Sequence, residues 1–309
     1  MREKFELNSD KTFRNTKNII NQMFHDEIRI ISVLIFIIMI FSISSKEYMN
    51  AIIQHKSHYI SLKILGTGKK RVFHAKNSYE GCKAFNTPNQ VEINNIAQNE
   101  IKYEYNFNES INFIKLIWND KVNSTVCLFY TCEDIYEIDF SHFDSSSIRG
   151  EITGMFYDCK SLISLDLSNF NSSRVTKISN LFFNCYSLTS INLSNFSTSN
   201  VKGMSNMFHE CKTLSFINLS SFDTSKVESM MSTFFNCELL TSIVLSNFNT
   251  SKVTTMSRMF SGCKSLKFIN FSNFNTPLLT DTSFMFQYCE NLTSVIYQVL
   301  TFQKLHLCL

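Results

Sequence analysis

The sequence predicts an α/β solenoid, and three observations carry the prediction. Cysteines recur after Cys132 at Cys159, Cys185, Cys211, Cys237, Cys263 and Cys289, the first interval being 27 residues and the other five 26. Each cysteine sits in one apolar frame, with a Phe three residues before it (Phe129 to Phe286) and aliphatic residues three and six after it. Between frames runs a polar Ser/Asn/Thr stretch, as in Ser246-Asn247-Phe248-Asn249-Thr250-Ser251. A fixed period of this length is the signature of stacked structural repeats.

Each part of a coil has its own reason. The L-x-x-L-x-L segment alternates at its end, which predicts a short strand with its aliphatics inward and all such strands in one parallel sheet. The polar stretch follows because Asn, Asp, Ser and Thr bond to nearby backbone and favour turns and N-caps. V-x-x-M-x-x-M-F comes next, as in Val253, Met256, Met259 and Phe260. Apolar residues at i, i+3, i+6 and i+7 predict one or two helical turns packed on the sheet. A coil buries little alone, and stacking seven of them gives a continuous core.

Five regions divide the chain. Residues 1–28 are a polar N-terminal tail. Residues 29–45 contain Ile30 to Ile43, an almost wholly apolar run bracketed by Arg29 and Lys46. It is short for a spanning helix, which needs ~20 residues. Three readings stand side by side: a cleaved signal peptide with Ser42 and Ser44 before the cut, an uncleaved signal anchor, or a buried core segment. Residues 46–120 hold alternating runs at Tyr59–Leu65, Gln90–Asn94, Ile101–Tyr105 and Asn112–Trp118, which read as strands of a small β-rich cap. Ile114–Trp118 is taken as a degenerate first coil, because Val122, Thr125, Leu128 and Phe129 keep the turn spacing after it. Residues 121–300 are the repeats. Residues 301–309 form a C-terminal tail that either covers the last coil as a short helix or is cut short.

The pattern [MLT]-F-x-x-C-x-x-L-x-x-[LI]-x-L-S-x-F-x-[TS]-x-x-V resembles the BspA-like leucine-rich repeat surface proteins, from roughly Phe129 to Leu300. The resemblance implies a leucine-rich-repeat horseshoe, a cell-surface location and a role in adhesion or recognition. It brings no catalytic residues.

Composition narrows the function classes. A formal net charge of +3 on 309 residues gives no footprint for nucleic acid. Hydrophobic content of 44% excludes a disordered chain, and only 7 Gly and 2 Pro exclude collagen-like and most glycine-loop nucleotide folds. Gly66-Thr67-Gly68-Lys69-Lys70 lacks the first Gly and the final Ser/Thr of a phosphate loop, so a hairpin turn is expected there. The seven histidines are scattered, with no triad-like arrangement. No C-x-x-C pair or His cluster suggests a metal. Nine N-x-[ST] sequons occur, most of them by-products of the repeat. No catalytic, cofactor or metal residue is assigned, and an enzyme is not expected.

The repeat cysteines Cys132, Cys159, Cys185, Cys211, Cys237, Cys263 and Cys289 read as small buried apolar residues with free thiols. Cys82 and Cys127 are the pair to examine for a bridge; Cys308 also lies outside the column. The residues five and seven after each cysteine point outward and vary. Early coils place Glu137, Asp139, Ser164 and Asp166 there, and later coils Phe216, Asn218, Val244, Phe268, Asn270 and Ile296. This later group is the candidate binding face, since exposed apolar patches mark interaction sites. Cover by the N-terminal segment or a neighbouring chain, or no role, are the alternatives. The expected function is a non-enzymatic cell-surface or secreted module that recognises a protein or cell-surface ligand, touching the membrane through residues 30–45 if they stay uncleaved. The alternative is a membrane-tethered or cytosolic interaction scaffold.

Overall fold

A computed structural model describes residues 57–74, 82 and 85–297, all within the unit Ser57–Leu309. The apolar run at 30–43, the tails at 1–28 and 301–309, and Cys308 lie outside the described residues. The described chain opens with a cap of six strands: β1 (His58–Leu65), β2 (Gly68–Arg71), β3 (Gln90–Ile93), β4 (Ile96–Ala97), β5 (Glu104–Phe107) and β6 (Ile111–Trp118). β1 alternates as its sequence demands, with Ile60, Leu62 and Ile64 buried between half-exposed Tyr59, Ser61 and Lys63. It pairs antiparallel with β6, His58 facing Trp118 and Leu65 facing Ile111. β3 takes the other edge of β6, and β2 pairs with β5.

Two sequence expectations are corrected here. β6 is not a coil strand: it lies antiparallel between β1 and β3. Gly66-Thr67-Gly68 is a turn, with φ of 83° and 87° at its glycines, but it does not make a hairpin. β1 and β2 pair in different sheets, and Lys69 and Lys70 are ion-paired to Glu104 and Asp134.

The repeats follow as β7 (Ile135–Asp139), β8 (Gly150–Glu151), β9 (Ser164–Asp166), β10 (Val175–Lys177), β11 (Ser190–Asn192), β12 (Phe216–Ile217), β13 (Ser242–Ile243), β14 (Phe268–Phe271) and β15 (Ser294–Tyr297). They form a β-solenoid of about six stacked parallel-strand turns. β1 pairs antiparallel with β7, so the cap continues the sheet in the order β11-β9-β7-β1-β6-β3-β4 and covers the edge of the first coil. The sheet is not continuous. Strand pairing resumes as β12-β13 and β14-β15, and these pieces are separate ladders.

The described repeats contain no helix, so the α/β horseshoe gives way to a β-solenoid. Backbone geometry supplies the reason. In every coil the residue just before the cysteine and the residue five before it have positive φ, as at Asn180 (56°) and Asn184 (57°), or Ser232 and Asn236 (both 53°). A left-handed residue every fourth position breaks any α-helix. The N–H groups then divide their bonds. Ile178, Asn180, Phe182 and Asn184 donate to Gly203, Ser205, Met207 and His209 of the next coil, while Leu181, Phe183 and Cys185 donate three residues back within their own. The V-x-x-M-x-x-M-F segment is therefore a run of tight turns whose alternate N–H groups build a second coil-to-coil ladder. Gly262 fills one left-handed site at φ 75°, where a Cβ would come within 1.8 Å of Asn236 Oδ1.

The core is a set of columns. Rings Phe129, Phe156, Phe182, Phe208, Phe234, Phe260 and Phe286 stack with centroids 5.3–5.9 Å apart. The cysteine thiols are free and buried as far as Cys263, with Cys289 half-buried. They do more than fill space. Cys159 Sγ donates to the Phe129 carbonyl at 3.3 Å, Cys185 to Phe156 at 3.2 Å and Cys211 to Phe182 at 3.2 Å, and the column continues to Cys289 and Phe260. The same Phe carbonyls accept the N–H of their own coil's cysteine, so both lone pairs are used. Buried Ser and Thr residues clamp the polar turns: Thr198 Oγ1 donates to the Asp223 carbonyl and accepts the Asp223 N–H. Thr224 does the same with Asn249.

Leu193 is 2% exposed within this core. Its replacement by Ala costs about 2–5 kcal/mol in urea unfolding, through lost transfer energy and the cavity left behind. A loss under about half a kcal/mol is the surface range and contradicts the burial.

Candidate binding surface

Strand alternation builds the surface. Ile217 and Leu219 point inward, so Phe216 and Asn218 point out, and the same parity holds in each later coil. The structure places all six sequence-assigned residues on this outward face. Phe216 is 56% exposed, Val244 52%, Phe268 43% and Ile296 46%; Asn218 and Asn270 are exposed beside them. Ladder register sets Phe216 beside Ser242, Phe268 beside Ser294 and Asn270 beside Ile296. The large apolar side chains thus occupy alternate columns in successive coils: a Phe five after the cysteine, then Val or Ile seven after it.

The second of these columns has a local structural task, which separates its members. Asp139, Asp166, Asn192, Asn218 and Asn270 each accept the backbone N–H of the Ser two residues on, at 2.8–3.1 Å. Asn218 and Asn270 therefore hold turns. Val244 occupies the same column, where a hydrocarbon side chain can accept no such bond. It gives up a local bond and exposes a hydrocarbon to water, and neither change stabilises the coil.

Electrostatics divide the face lengthwise. The early coils carry Glu137, Asp139 and Asp166. The Asp166 carboxyl is held below its ordinary range by the Ser168 hydroxyl and N–H. Lys63 of β1 reaches Glu137 at 3.1 Å. The later coils carry no acid in the two outward columns. Sequence reading missed the apolar residues at the cap end of the sheet. Ile111 and Phe113 are exposed, 45% and 62%, while Asn112 between them is buried and bonds to the carbonyls of Gly66 and Glu109. A polar residue flanked by two apolar ones at a strand's start was the available signal.

Other chemistry is sparse. Among the described residues no group of three His, Cys, Asp or Glu is placed to hold a metal, and no helix is long and apolar enough to cross a membrane. Cys82 and Cys127 form a disulfide. Burial pushes the repeat thiols well above their ordinary range, and Cys289 least, to about 11. A second ring ladder, Tyr130–Tyr157–Phe183–His209–Phe235, runs along the turns at 4.2–4.6 Å spacing. Burial between Phe183 and Phe235 lowers the His209 pKa to about 4, against the weaker pull of Glu210.

A family model described as "Mycoplasma protein of unknown function, DUF285" matches residues 123–238 and 212–305. No curated protein and no solved structure matches the chain.

Two outcomes follow from the titrating groups. His209 is depressed in the folded chain, so the unfolded chain binds the extra proton. Its contribution is complete above the ordinary histidine value near 6.5 and is lost as pH falls towards about 4. Urea unfolding of wild type and His209→Phe between pH 7 and 4.5 shows a steeper acid loss in the wild type; parallel curves contradict the buried neutral ring. In a Cys308→Ser background a thiol reagent modifies Cys289 first. The six deeper thiols react only at the rate of unfolding, and early labelling of Cys211 excludes the buried column.

Proposed function

The chain belongs to the Mycoplasma DUF285 repeat family of unknown function, and from that premise we propose that it is a non-enzymatic recognition module displayed at the cell surface or secreted. Its ligand-reading surface is the outward face of the later coils. One observation carries the reading: Phe216, Val244, Phe268 and Ile296 stand exposed in an otherwise polar pair of columns, and Val244 gives up a turn-forming bond to do so. Large apolar residues that add nothing to their own coil are the mark of an interaction surface. The Cys82–Cys127 disulfide supports an oxidising compartment. The apolar run within 30–45 supplies the signal or anchor in this reading, and the likeness of the Phe–Cys–Leu columns to BspA-like surface proteins points the same way. The regular coils leave no insertion for a catalytic loop, and the small net charge favours protein or cell-surface ligands over nucleic acid.

Two measurements test the proposal. On intact cells expressing a tagged chain, external protease removes the repeats; complete protection rules out surface display. Retention of the purified, labelled chain on intact cells falls at least about tenfold in the Phe216→Ser/Phe268→Ser variant, as expected for loss of central aromatic contacts. Its thermal unfolding stays within a few degrees of wild type, because each surface change is worth ~0.5 kcal/mol or less. A large loss of stability would show that the rings are core and remove the face from consideration.

A further inference from the structure

The outward face of the later coils has a two-coil rhythm. Its two columns read Phe216 and Asn218, then Ser242 and Val244, then Phe268 and Asn270, then Ser294 and Ile296. Each coil offers one large apolar side chain and one small or polar one, and the two exchange columns at each step. Phe216 and Phe268 share a column two coil steps apart, roughly 10 Å, with only Ser242 between them. That leaves a slot floored by Ser242. A ring seated in it lies about 5 Å from each phenylalanine, within the 4.5–7 Å range of ring pairs. Val244 and Ile296 flank Asn270 in the other column in the same way.

We propose that the partner for this face is a second copy of the chain, docked face to face with its coil order reversed. The proposal rests on the recognition reading above and names its ligand. Turning a second copy about an axis parallel to the strands keeps each column on itself and sets the coil of Cys211 on that of Cys289 and the coil of Cys237 on that of Cys263. Phe216 then meets the partner's Ser294, and Phe268 the partner's Ser242. Val244 meets the partner's Asn270, and Ile296 the partner's Asn218. Every large side chain faces a small or polar one, as a two-fold interface requires of a self-complementary patch.

Charge selects this arrangement over its rival. A turn about the solenoid axis also matches large against small, but it lays Glu137 on the partner's Asp139 in the first coil, two acids face to face. With the coil order reversed, Glu137, Asp139 and Asp166 of each copy lie beyond the partner's last described coil. The docked columns are then free of charge, and Lys267 beside them faces the partner's Thr241. A charge-depleted, apolar centre is the composition of interface cores. Four coils make a patch at or below the small end of specific interfaces, under about 1,200 Å² in all, so the dimer dissociates in roughly the micromolar-to-millimolar range.

Sedimentation equilibrium of the full chain tests the idea through exchange of a knob and a hole. Wild type shows a concentration-dependent dimer. Ser242→Phe fills the slot that receives the partner's Phe268, so it weakens the dimer at least about tenfold even though it makes the face more apolar. Ser242→Phe/Phe268→Ser exchanges knob and hole and restores association to within about threefold of wild type. Thermal unfolding confirms that all three chains are folded. A wild type that stays monomeric, a Ser242→Phe variant that associates more tightly, or a double variant that fails to recover each overturns the proposal. A monomeric wild type whose cell retention still falls in Phe216→Ser/Phe268→Ser removes the second copy and keeps the recognition reading. A dimer whose repeats are fully protected from external protease does the reverse.

Discussion

The structure depends on how each turn segment divides its backbone hydrogen bonds. Alternate N–H groups close four-residue turns within the coil, and those between them reach the carbonyls of the next coil. Neither half suffices alone. A lone coil would leave half its turn donors to water; stacking buries them, and a buried donor left without an acceptor costs roughly 1–3 kcal/mol. Stacking is therefore built into the local conformation. It also explains the left-handed residues, since a segment that must send alternate donors along the solenoid axis cannot hold the helical φ that keeps them local.

Once coils stack in this way, every position is repeated one step further along, and each column takes on a collective task. Phenylalanines become a continuous ring stack, cysteines a series of thiols donating to carbonyls one coil back, and threonines clamps on the following turn. On the surface the same logic produces Lys160 paired with Glu133, and Glu238 held between Lys212 and Lys264. Exposed pairs of this kind contribute little each. Their contribution is consistent register along the array. Against so uniform a background, a column that departs from its task is informative. Val244, where five other coils place Asn or Asp to hold a turn, is the clearest departure, and it lies on a face with Phe216 and Phe268 in the open.

The cap solves the problem that stacking creates at the array's start. The first coil has no predecessor to satisfy its strand edge, and β1 takes that place antiparallel to β7. The cap is tied to the turn side as well. His74 N–H donates to the Leu128 carbonyl, and the Cys82–Cys127 disulfide fastens the cap to the first turn segment. The sheet face consequently runs without interruption from the cap's Phe113 and Lys63 to the acids of the early coils. The two outward columns thus pass from acids in the early coils to alternating hydrocarbon and small polar side chains in the later ones.

The sequence by itself determined the period, the inward columns and the outward ones. These follow from strand alternation and from residue types repeated seven times, which is why the parity of Phe216, Val244, Phe268 and Ile296 was legible. It also offered Cys82 and Cys127 as partners, because they were the two cysteines outside the column within the cap and first coil. The conformation of the turn segment was not legible. Apolar residues at i, i+3, i+6 and i+7 suit a helix and a chain of four-residue turns equally. What separates the two is where alternate N–H groups find acceptors, and those acceptors sit one coil away. The same reason hid the true place of Ile114–Trp118, whose pattern fits any half-buried strand until β1 claims its edge. Only the tertiary structure decided these points, because hydrogen-bond partners 25 residues or more apart leave no trace in local spacing.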